Sequence, residues 1–170
     1  MRKLMIFGKN YSIVEQNSGK DELWVKNNKI FVSSHEKSAD SLIKEFLAGL
    51  LDAELWKTYE QMKNKGKVDL FGDLDFEIVE KIDNKKQRIA KLKGNKILVK
   101  LDAVALTKNV LRYIIAHEIA HVFTKRHTKK FWKTVETIYP NFEKGQKLLM
   151  KHAELLINPL ATFSDDVKRG

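Results

Sequence analysis

The sequence predicts an α+β domain: a small antiparallel sheet and a long helix, followed by a helical C-terminal part built around one buried helix. Three observations carry this. Short β-branched and aromatic runs bounded by turn residues occupy the first third and recur between residues 76 and 101. Between these groups, Ser38 to about Asn64 holds a continuous apolar stripe at helical spacing. From Thr107 onward the pattern is helical, interrupted by Pro140 and Pro159.

The elements follow in order. Tyr11–Val14, Leu23–Val25 and Lys29–Val32 are strand-like, with Asn27-Asn28 as a hairpin turn between the last two. In the long helix Leu42, Ile43, Phe46, Leu47, Leu50, Leu51, Leu55, Trp56 and Tyr59 share one face. Trp56 and Tyr59 lie on that stripe and are read as core. Gly66 and Gly72-Asp73 punctuate the chain before strands at Phe76–Ile82, Arg88–Leu92 and Lys96–Leu101, with a tight turn at Gly94-Asn95. Helices are expected from Thr107 to about Lys125, Thr128 to about Tyr139, and Asn141 to about Ile157.

The 170 residues, 43% apolar with 2 Pro and 8 Gly, suit one domain with a real core. We expect that domain over residues 1–160, with strands and the long helix in 1–106, a helical part in 107–158, and a flexible tail at 161–170. There is no cysteine, hence no disulfide, no thiolate nucleophile and no Cys-based zinc site. Any metal must be held by His, Asp or Glu. No apolar run reaches the roughly 18 residues of a membrane span, and the N-terminus lacks a signal-peptide cleavage site. The expectation is a cytoplasmic protein without a membrane partner.

Charge is unevenly divided. Residues 1–85 carry 14 Lys and Arg against 15 Asp and Glu, whereas residues 86–170 carry 18 against 7. The net charge of +10 therefore resides in the second half, which would attract acidic protein or nucleic acid through a salt-sensitive field. The bias is 27 Lys to 5 Arg, whereas phosphate-fork and base-edge recognition favour arginine. Charge alone does not choose between these partners.

The helix from Thr107 contains His117-Glu118-Ile119-Ala120-His121. Four residues turn a helix by about 400°, so both imidazoles lie on one face, one turn apart, and can share a metal ion. Glu118 lies about 100° round from His117, where it can deprotonate a metal-bound water. Neutral imidazole suits Zn2+, and catalytic zinc keeps three protein ligands and one open position. The flanking Leu111-Arg112-Tyr113-Ile114-Ile115-Ala116 and Val122-Phe123 are apolar nearly all round, which marks a central helix. Polar groups inside it need partners. His127 follows six residues after His121. On an unbroken helix it would point about 240° away; a break after about Lys125 would return it as a third ligand, with Thr128 capping the next helix. Tyr113, His152 and Arg88 are candidates to stabilise an oxyanion.

His117-Glu118-x-x-His121-x5-His127-x3-Phe131-Trp132 resembles the signature of the YgjP-like metallopeptidase domain, itself related more distantly to the WLM and SprT-like proteases. The likeness extends over roughly residues 22 to 150. It implies a minimal zincin-like fold with a buried active-site helix, and zinc-dependent peptide-bond hydrolysis of a protein or peptide substrate. It also implies His117, His121 and His127 as ligands and Glu118 as general base. One departure concerns the strand before the motif. Where that family carries an Arg-Trp-Gly-Ser-Cys-like stretch, this chain has Lys86-Gln87-Arg88-Ile89-Ala90-Lys91-Leu92. Substrate positioning is affected, because an edge strand there would pair with an extended peptide. Two alternatives remain at this point: a SprT-like protease acting on DNA-bound protein, and a non-catalytic basic module with structural zinc.

Overall fold

The computed structural model describes residues 2–64, 74–85 and 88–153. Strands β1 (Lys3–Ile6), β2 (Lys9–Gln16), β3 (Glu22–Lys26) and β4 (Lys29–Ser33) precede helix α1 (Ala39–Asn64). Then come β5 (Asp75–Val79), β6 (Ala90–Lys93), β7 (Lys96–Lys100) and a 3-10 turn at Leu101–Ala105. Helices α2 (Lys108–Phe123), α3 (Lys129–Ile138) and α4 (Phe142–Ala153) complete the described chain. The fold is α+β, as expected. Gly66, Gly72-Asp73, the stretch expected to extend the last helix to about Ile157, and the 161–170 tail lie outside the described residues.

The expected antiparallel sheet requires correction: there are two small mixed sheets, ordered β1-β2-β4-β3 and β5-β7-β6. Burial explains the order. In β4, Ile30, Val32 and Ser33 are buried, while the last three residues of β3 are exposed. The more apolar β4 takes the centre and β3 the edge. The strands still form a hairpin through Asn27-Asn28, both at positive φ (51° and 59°), as a type I′ turn requires. With β4 inserted beside it, β2 pairs parallel, from Ser12 opposite Lys29 to Gln16 opposite Ser33. The second sheet repeats this logic. Strand β7, with Ile97, Val99 and Lys100 buried, is central between parallel β5 and antiparallel β6. Strand β1, absent from the sequence reading, is only four residues long, too short to show alternation.

One face of α1 (Ile43, Leu47, Leu51, Leu55, Tyr59) packs with both sheets and α2 into one core cluster. Trp56, Tyr59 and Phe76 meet edge-to-face or tilted, with centroids 5.1–5.9 Å apart, so the aromatics on the long helix do serve the core. Helix α2 is the axis of the cluster. Its Val110, Leu111, Ile114, Ile115 and Ile119 are each at most 1% exposed, a burial stabilising by about 1.5–3 kcal/mol per side chain. Among the described residues no helix is long and apolar enough to cross a membrane.

Helix α4 lies so close to α2 that a Cβ at Gly145 would sit 2.7 Å from the Asn109 carbonyl oxygen and 2.7 Å from Tyr113 Cβ. Helix propensity would favour Gly145→Ala by about 1 kcal/mol, but overpacking against backbone costs about 1–3 kcal/mol. Gly145→Ala is therefore expected to lower stability in urea unfolding. Gly49→Ala on α1, where no atom lies within 4 Å, should raise it by roughly 0.5–1 kcal/mol. A rise in both variants would contradict the close α2–α4 contact.

Candidate metal centre

Thr107 caps α2, its hydroxyl accepting the Val110 amide hydrogen at 3.4 Å. Ten residues on, His117 and Glu118 are each 3% exposed inside the core. His121 follows one turn later, near the C-terminal end of the helix. The helix stops at Phe123, two residues earlier than the sequence suggested. Thr124 adopts an extended conformation (φ −149°, ψ 123°) while its amide still donates to the Ala120 carbonyl at 3.1 Å. A β-branched residue favours that region, which is why the break needs no glycine. Lys125 and Arg126 carry the chain to His127, and Thr128 caps α3 by accepting from the Phe131 amide at 3.4 Å. Phe131, Val135 and Ile138 then bury on α3, folding it back over α2 and bringing His127 with it.

The three histidines converge. One ring nitrogen from each of His117, His121 and His127 lies within 4.8 Å of the others, and the Nε2 atoms of His121 and His127 are 3.0 Å apart. Phe131 stands against all three rings, with centroids at 5.2, 4.8 and 4.7 Å, and Trp132 stacks on Phe142 behind them. His121 Nδ1 lies 3.2 Å from the Thr124 carbonyl oxygen. Donation there fixes the tautomer that turns the Nε2 lone pair toward the cluster. Four ligands at zinc's bond length of about 2.0–2.1 Å would stand about 3.3 Å apart, a spacing the cluster reaches with small ring movements. The donor set therefore fits zinc. Among the described residues the cluster contains these histidines and no carboxylate. A closed structural site would have needed a fourth protein ligand.

Glu118 is held from two sides. Its Oε2 accepts the Leu92 amide hydrogen at 3.0 Å, and its Oε1 lies 3.6 Å from His117 Nδ1. Burial pushes this carboxyl up, but the neighbouring His117, His121 and Arg88 outweigh it and hold the group below the usual value. Leu92 belongs to β6, at the edge of its sheet, so the Glu118 bond ties that edge to α2. Sequence reading could not find this partner, because a backbone amide 26 positions away has no side-chain signature.

The oxyanion candidates separate. Tyr113 is fully buried, with its hydroxyl 3.4 Å from Gln146 Nε2, and faces α4. Arg88 is close enough for its charge to act on Glu118, while its Nε donates to the Ala90 carbonyl at 3.4 Å. The side chain of His152 lies outside the described residues.

If the three imidazoles bind together, untagged protein should carry about one metal ion per chain, and His127→Ala should weaken binding by more than about tenfold. Elemental analysis of both proteins checks this. Equal metal in the variant would exclude His127 from the site.

A family model described as the YgjP-like metallopeptidase domain matches residues 1–152. No curated protein matches the chain. Among solved structures, the metallopeptidase zymogen of Pyrococcus abyssi abylysin is similar in fold, with a TM-score of 0.50 at 21% identity. The likeness covers 61% of this chain and 96% of that one. Since the family match spans most of the sequence, the chain belongs to the YgjP-like family of metallopeptidase domains.

Proposed function

We propose that the chain is a single-domain zinc metallopeptidase in which His117, His121 and His127 hold the ion and Glu118 is the general base. The observation that carries this reading is the convergence of three imidazoles beside one buried carboxyl group, that of Glu118. Zinc, when bound, supplies Lewis acidity that brings the pKa of water toward about 7 and polarises a scissile carbonyl. Everything else falls to the chain itself. The Thr124 carbonyl holds His121 in the ligating tautomer, and Phe131 and Trp132 exclude water from the inner side of the histidines.

Glu118 accepts the proton of the attacking water and returns it to the leaving amine. Its bond to the Leu92 amide keeps one oxygen in place, so the carboxylate need not reorganise during the transfer. The same bond sets β6 alongside the histidines. An extended peptide added to that edge would run past the site with its carbonyls presented in sequence. Arg88, just before β6, is the residue whose charge best suits a developing oxyanion.

Glu118→Gln preserves shape and the acceptor toward Leu92 but removes the base. Hydrolysis of quenched-fluorescent peptides should fall by roughly 100- to 10,000-fold, with metal content unchanged. A fully active variant would refute the assignment of the base, and full activity after chelation would refute the metal's role.

A further inference from the structure

We infer that the metal site is built to take acidic peptide segments, recognised by a rim of cations around His127 that have no ion-pair partners among the described residues. This rests on the peptidase reading of the same site and adds its substrate class. Lys125, Arg126, Lys129, Lys130 and Lys133 are all exposed, and all fall within six residues of His127. Adjacent Cα atoms are about 3.8 Å apart, so those of Lys125, Arg126 and Lys129 lie within about 8 Å of that of His127.

Seven cations elsewhere find carboxylates, among them Arg2 with Asp40, Lys37 with Glu45, Lys44 with Glu80, Lys91 with Asp83, Lys96 with Glu77 and Lys108 with Glu54, whereas others such as Lys3, Lys9 and Lys57 have none among the described residues. Among the described residues, none of the five rim cations has a carboxylate within 4.0 Å. The described chain after Glu118 contains only Glu136 and Glu143 as acids. Across the site, Arg88 and the exposed Lys93 on β6 add positive charge from the sheet side. A peptide passing between β6 and α3 would therefore meet positive charge on both flanks.

The chemistry of the rim favours carboxylates over phosphates. Four of its five cations are lysines, mobile point charges that suit flexible Asp and Glu side chains, whereas arginine forks suit phosphate. A single-strand nucleic-acid surface would also need outward aromatics for base stacking. Here Phe131 and Trp132 are turned onto the histidines and Phe142, which leaves Phe123, 38% exposed, as the outward aromatic beside the rim among the described residues, short of the series of platforms that successive bases need.

The test uses the full-length, zinc-loaded Glu118→Gln protein, so binding is read without cleavage. Its probes are a fluorescein-labelled Ala/Gln peptide, the same peptide with several Gln replaced by Glu, and oligothymidylate. Each exposed pair contributes little, so a few together should make the Glu peptide bind about tenfold more tightly at low salt. That ratio should collapse near 1 M salt, and in Lys129→Glu/Lys130→Glu/Lys133→Glu. The neutral Lys129→Gln/Lys130→Gln/Lys133→Gln variant should lose most of it, guarding against misfolding of the charge-reversed protein. Equal binding of the two peptides, or a ratio that survives both variants, would overturn the inference. Tighter binding of oligothymidylate than of the Glu peptide would also overturn it and assign the rim to nucleic acid. Wild-type hydrolysis of the same peptides separates the two claims. Cleavage of both without preference in binding or kcat/KM sinks the acidic rim alone; a tenfold binding ratio without cleavage sinks the peptidase reading alone.

Discussion

Helix α2 places the His117 imidazole and the Glu118 carboxylate in an apolar interior, with His121 at its half-buried edge, where each unsatisfied polar group would cost several kcal/mol. That constraint organises the surroundings of the site. The Leu92 amide answers Glu118, the Thr124 carbonyl answers His121, and His127 is returned to face His121 across 3.0 Å. Each of these partners comes from a different place: a sheet edge, a helix end and an interhelical turn. The histidine cluster is thus the point at which three separately folded pieces must agree.

Two of those pieces depend on how other parts pack. Strand β6 reaches Glu118 only because the more apolar β7 occupies the centre of the second sheet and leaves β6 on the edge facing α2. His127 reaches its partners only because α3 has a buried Phe131–Val135–Ile138 stripe that folds it onto α2. Packing that looks remote from the chemistry, including the close approach of α4 at Gly145, therefore fixes ångström-scale positions at the site. An arrangement made from rigid elements suits a site that must hold an ion in fixed geometry.

Much of this was legible in the sequence, for physical reasons that differ by element. Long helices show as periodicity, and Thr128 announced its cap through residue type. The His117, Glu118 and His121 set is legible because helical geometry converts spacing into direction. Strand neighbours were not legible: whether β2 lies beside β3 or β4 depends on which strand buries more, a comparison made in three dimensions. The turn that returns His127 was placed two residues late, because an extended Thr124 ends the helix without glycine or proline. The basic half was visible as charge, but that the cations near His127 have no acidic partners among the described residues is a property of the folded surface.

The central claim is that three imidazoles share one zinc ion on this fold. X-ray absorption at the zinc edge, on the full-length protein loaded with one equivalent, reads the coordination directly. Three imidazole nitrogens at about 2.0–2.1 Å are expected. Two or fewer imidazoles, or a shell dominated by carboxylate oxygen, would contradict it.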